Sequence, residues 1–124
     1  MDAGDARSSL SAILFEKDFY SFILDNATIS YGISTMRLEG LIPLKSLAYL
    51  ELSKQENQSP KVLANIEKHR QDIFRLADVL PEGSFCLPSH VAEITQEALD
   101  LIALNIRNAE AVEILAMLKE FYEL

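Results

Sequence analysis

The residues best suited to do chemistry gather in one stretch, Lys68-His69-Arg70-Gln71-Asp72-Ile73-Phe74-Arg75-Leu76. Three cations, an imidazole and a carboxylate lie there within two turns of a helical pattern that runs over 61–80. Clustered Lys and Arg are what contact with a phosphate requires. On a wheel of about 100° per residue, Val62, Leu63, Ile73, Phe74, Leu76, Ala77 and Leu80 share one apolar arc, and Lys68, Gln71, Asp72, Arg75 and Asp78 lie opposite. Arg70 falls inside the apolar arc, about 40° from its centre. A guanidinium there needs a partner, because an unpaired buried charge costs several kcal/mol and Arg keeps its proton.

The neighbouring helical pattern, about 41–55, supplies an opposite charge in the same kind of place. Leu41, Leu44, Leu47, Ala48 and Leu52 form its stripe, and Glu51 falls within it. The expectation is a structural ion pair between Glu51 and Arg70 at a helix–helix contact, bidentate and specifying the packing more than stabilising it. Lys68 and Asp72, four apart on the outer side, read as an i,i+4 pair worth about 0.3 kcal/mol. They are also the better candidates for contact with a ligand. Lys45 sits at the edge of its stripe. It reads as a surface lysine whose stem lies along apolar neighbours, or as a phosphate contact.

Other chemistry is less well supported. His69 flanks the apolar arc and reads as a half-buried, hydrogen-bonded imidazole. His90 and Cys86 are too few and too far away for a His/Cys zinc site. Glu16 and Asp18 read as helix-capping carboxylates. Ser8-Ser9 and Cys86 lack the base that a nucleophile needs. No catalytic residue and no metal ligand is assigned.

The elements around these residues follow from the patterning. Residues 1–9 read as a flexible leader and 10–124 as one domain, divided into a strand–helix–strand part (10–37) and a helical part (41–124). Residues 10–15 read as a strand, a short helix follows with Phe19, Phe22 and Ile23 on one face and Asp18 as its cap, and 28–37 read as one or two further strands around Gly32. Pro43 suits a helix's first turn. Ser89 can cap a helix with Val91, Ile94, Ala98, Leu101 and Ile102 as its stripe. After a break at 105–108, a last helix turns Val112, Leu115, Leu118 and Phe121 inward. The predicted class is therefore α+β, two or three short N-terminal strands with one helix leading into a bundle of about four.

The chain has 124 residues and a formal charge of −8, with 19 acidic and 11 basic side chains. That balance argues against direct nucleic-acid binding. No apolar run reaches the ~18 residues of a membrane span, and the first residues do not read as a signal peptide. The single cysteine fits a reducing cytoplasm.

Leu41-Ile42-Pro43-Leu44-Lys45-Ser46-Leu47-Ala48-Tyr49-Leu50-Glu51-Leu52, then a polar loop, then the stretch from Lys68 to Leu76, resembles the C-terminal half of nucleotidyltransferase-like proteins, the bacterial abortive-infection (AbiEii-type) toxin-like family. The resemblance covers roughly residues 10–80 and rests on order and spacing. It implies a polymerase-β-like fold, in which a Gly-Ser element and paired acidic residues hold Mg²⁺ and the nucleotide. Lys45 matches the family's lysine at the nucleotide phosphates, and Lys68, Arg70 and Asp72 match its second basic–acidic motif. This chain departs from the pattern in two ways. It has no Gly-Ser followed by Asp-x-Asp, and Arg75 stands where many relatives carry an acid. The resemblance implies a part that is catalytically incomplete alone. Mg²⁺ and an NTP are the cofactor and substrate of an intact relative, and no cofactor is expected in this chain. The intact class transfers a nucleoside monophosphate from an NTP. The alternative is a non-catalytic helical interaction module, antitoxin-like or regulatory. Either reading calls for a protein partner, a missing N-terminal half or self-association.

Overall fold

The computed structural model describes residues 17–30 and 33–124, with side chains over 21–27 and 37–124. Five helices follow one another: α1 (Lys17–Asn26), α2 (Leu38–Ser53), α3 (Pro60–Ala77), α4 (Ser89–Asn105) and α5 (Ala109–Phe121). Between α1 and α2, β1 (Ala27–Ser30) and β2 (Ile33–Met36) pair antiparallel, Ala27 opposite Met36 and Ser30 opposite Ile33. The Arg37 amide closes this ladder onto the Asn26 carbonyl at 2.8 Å and turns the chain into α2.

The α+β expectation is corrected by this arrangement: the fold is helical. The β-branched residues of 28–36 do extend the chain, but two four-residue strands make a local ladder and not a layer. The core lies between helices, in side chains such as Ile42, Ile73, Leu99, Ile102 and Leu118, all wholly buried. Burying a side chain of this size contributes about 1.5–3 kcal/mol. The strand expected at 10–15, the leader at 1–9 and Glu16 lie outside the described residues. Asp18 is inside α1, not at its cap.

Local chemistry explains the helix ends. Ser59 caps α3 by accepting the Val62 amide at 3.2 Å, and Pro60 takes the first helical position, where its missing N–H costs nothing. Asn108 caps α5 through the Ala111 amide at 2.8 Å. Ser89 is not a cap: Pro88 holds that position and makes no side-chain bond to the helix. Gly83, at φ +115°, supplies the left-handed turn between α3 and α4.

The helix α2 packs against both α3 and α4. It is apolar nearly all round, as a central helix must be. Its buried face carries Ile42, Pro43, Ser46, Leu47, Tyr49 and Leu50. Pro43 is not in the first turn but at the sixth position, where its missing N–H leaves the Glu39 carbonyl without its usual helical donor. The Tyr122 hydroxyl fills the gap, donating to the Glu39 oxygen at 2.7 Å. Tyr122 caps α5. It is followed by Glu123 in the left-handed region (φ 57°), and the Leu124 amide returns to the Lys119 carbonyl at 2.8 Å. The chain's last turn is thereby fixed against the start of α2.

Candidate functional site

The seam between α2 and α3 brings together two residues that lie 27 positions apart in sequence. Lys45 Nζ is 3.0 Å from Asp72 Oδ2, with 31% and 20% of the two side chains exposed. The hydrogen bond from Lys45 holds the Asp72 carboxyl below its ordinary range. Partial burial opposes this, and the charges of Lys45, Lys68 and Arg75 reinforce it. Arg75 Nη1 stands 3.9 Å from the other carboxylate oxygen. Asp72 therefore does not face outward in an i,i+4 pair with Lys68. Lys68 is exposed and reaches the group only through its charge.

His69 lies on the same seam. Burial first, then the Lys45 charge, pushes its imidazole below the ordinary value, against a smaller pull upward from Asp72. Its Nδ1 and the Ser46 Oγ are buried without a hydrogen-bond partner among the described residues. The expected hydrogen-bonded imidazole thus has one ring nitrogen unmatched. A neutral imidazole and a lysine–aspartate pair on one helix seam can bind and orient an anion. Lysine has three N–H donors, so one bond to Asp72 leaves two for a ligand oxygen.

Arg70 forms a second, separate assembly. Its Nε donates to Glu67 Oε1 at 3.0 Å, and its Nη2 bonds the other oxygen of the same carboxylate. The guanidinium also lies 5.4 Å from the centre of the Phe74 ring. The hydrogen bonds with Arg70 lower the Glu67 pKa and raise that of Arg70. The structure does not bring Glu51 and Arg70 together. The buried face of α2 is centred near Ile42, Ser46 and Leu50, and Glu51 lies roughly 130° from that centre. Arg70 instead takes Glu67, one turn back on its own helix. That i,i+3 spacing was present in the sequence and could have named Glu67. Tyr49, 3% exposed, completes this assembly; burial raises its pKa, while a hydrogen bond with Asn105 lowers it. A cleft of about 420 Å³ opens here, with Tyr49, Glu67, Arg70 and Asn105 among the polar groups on its wall.

A third feature is a groove of about 540 Å³ between the 80–83 turn and α5. Among the described residues no group of three or more His, Cys, Asp or Glu could hold a metal ion. Cys86 is an exposed free thiol. No helix among the described residues is long and apolar enough to cross a membrane. No family model, curated protein or solved structure matches the chain.

Proposed function

We propose that this chain is the C-terminal part of a nucleotidyltransferase-like protein and is catalytically incomplete by itself. One observation carries the reading. Lys45 and Asp72, which come from the two stretches that resemble that family, meet at 3.0 Å across the α2–α3 seam. The fold class expected of the N-terminal region plays no part in it.

In this reading Lys45 is the phosphate contact. Its ammonium is partly exposed and keeps two donors beyond Asp72. Asp72 acts through Lys45. It fixes the ammonium's position, so that little side-chain freedom is lost when a triphosphate arrives. Lys68 adds positive charge at the rim. Arg70, tied to Glu67 and Phe74, orders α3 and does not touch the nucleotide. When bound, Mg²⁺ would neutralise the phosphate oxygens while a nucleoside monophosphate passes to a hydroxyl. Its ligands belong to a Gly-Ser/Asp-x-Asp half supplied by another stretch of protein, and the site of action is the cytoplasm.

The coding sequence immediately upstream of the Met1 codon tests this. An open frame encoding Gly-Ser followed by Asp-x-Asp supports the reading. An isolated start site with no such frame beside it counts against it. In titration calorimetry the chain alone is expected to bind MgATP no more tightly than about 1 mM. Micromolar binding would mean that a metal and nucleotide site is already complete here.

A further inference from the structure

The outer face of α5 and the turn after α3 form the groove noted above, and the nucleotide reading makes no use of it. Its floor is apolar: Leu80, Pro81, Ala116, Met117 and Phe121. Glu82, Glu113 and Glu120 stand around that floor. Glu113, Ala116, Met117 and Glu120 are spaced i, i+3, i+4 and i+7, so they make one continuous exposed stripe. Val112, 56% exposed, and Val79, 58% exposed, flank this apolar surface.

The charge of this face is one-sided. The only cation of α5, Lys119, is drawn away to Asp100 on α4 at 2.6 Å. Among the described residues no Lys, Arg or His pairs with Glu82, Glu113 or Glu120. A second copy of the chain docked on this face would set two groups of three carboxylates against each other. A nucleic acid or an anionic bilayer would be repelled in the same way. A helix with apolar anchors and flanking cations fits both the floor and the rim.

We propose that the groove between the 80–83 turn and α5 docks a lysine- or arginine-bearing amphipathic helix of a partner protein. The apolar anchors enter beside Met117 and Ala116, and the cations reach the three glutamates. The proposal stands on this face alone and does not depend on the nucleotidyltransferase-like reading.

The test uses the full chain and a labelled Leu/Lys peptide with leucines at helical spacing, followed by fluorescence anisotropy and by amide chemical shifts. A matched peptide with Glu in place of Lys serves as the control. The Lys peptide is expected to bind and to shift signals confined to 79–83 and 112–121. Ala116→Arg, at an exposed position, and the pair Glu113→Lys with Glu120→Lys are each expected to weaken it about tenfold or more. The double reversal is also expected to gain affinity for the Glu peptide. Unchanged affinity in these variants would overturn the proposal, as would shifts spread over the acidic surface at large. A dimer in sedimentation that Ala116→Arg dissolves would assign the face to a second copy instead and would also overturn it.

Discussion

Removing one hydroxyl, in Tyr122→Phe, tests how the chain's end is tied to its central helix. Tyr122 is 1% exposed and donates to the Glu39 carbonyl at 2.7 Å. That carbonyl lacks its helical donor because residue 43 is proline. A neutral hydrogen bond is worth about 1 kcal/mol net, and a bare acceptor costs about 1–3 kcal/mol when fully buried, less where, as here, the bond is partly buried. The expected loss is therefore about 2 kcal/mol, read from urea unfolding followed by circular dichroism. The decisive comparison is the same change made in Pro43→Ala. Alanine restores the N–H that can serve the Glu39 oxygen, so the cost of Tyr122→Phe should fall to about 1 kcal/mol or less. Pro43→Ala has effects of its own, through lost ring packing and a freer unfolded chain, and the double-mutant cycle cancels them. Equal costs in the two backgrounds, within about 0.3 kcal/mol, would refute the idea that tyrosine substitutes for the missing backbone donor.

Two further outcomes follow from the α2–α3 seam. A cycle of Lys45→Met and Asp72→Asn should give a coupling of about 1 kcal/mol, because the pair is mostly covered yet still reached by solvent; a value below about 0.3 kcal/mol would remove it as a packing determinant. Because burial and Lys45 hold His69 below its ordinary value of 6.5, the unfolded chain takes that proton more readily than the folded one. The stability tied to a neutral His69 is thus whole above about pH 6.5 and is lost as pH falls through the lowered folded value. The urea midpoint should drop between about pH 7.5 and 5.5, and His69→Gln should flatten that drop. Asp72 and Glu67 are also held low, but their ordinary values are 3.8 and 4.5, so they act in a more acid window.

The helices were legible because their punctuation is strong. Pro60, the Pro81-Glu82-Gly83 turn and the break before Asn108 bound patterns that the structure keeps to within a few residues. Which face of α2 is buried was not legible. Leu41, Leu44 and Leu52 compete with Ile42, Tyr49 and Leu50, with Leu47 common to both faces, and a helix apolar on every side gives periodicity nothing to choose by. Choosing the Leu44 side put Glu51 on the α3 contact and produced the Glu51–Arg70 expectation. With the face turned, Ser46 and Tyr49 lie in the interior and Arg70 takes Glu67. In α5 the error is smaller: Leu115, Leu118 and Phe121 are inside as expected, but Ala111 replaces Val112, which is exposed. The Lys45–Asp72 pair joins residues on different helices, so it depended on the same unreadable rotation. Resemblance named both residues, and neither the wheel nor the spacing joined them.

The most direct test of the central claim is transfer from a labelled NTP by this chain combined with a half that carries Gly-Ser followed by Asp-x-Asp. Wild type is to be compared with Lys45→Ala and Asp72→Asn, each checked for unchanged helicity. If Lys45 meets the phosphates and Asp72 positions it, kcat falls about 100-fold or more in Lys45→Ala, with a clear loss in Asp72→Asn as well. Wild-type transfer rates in both folded variants would contradict the assignment.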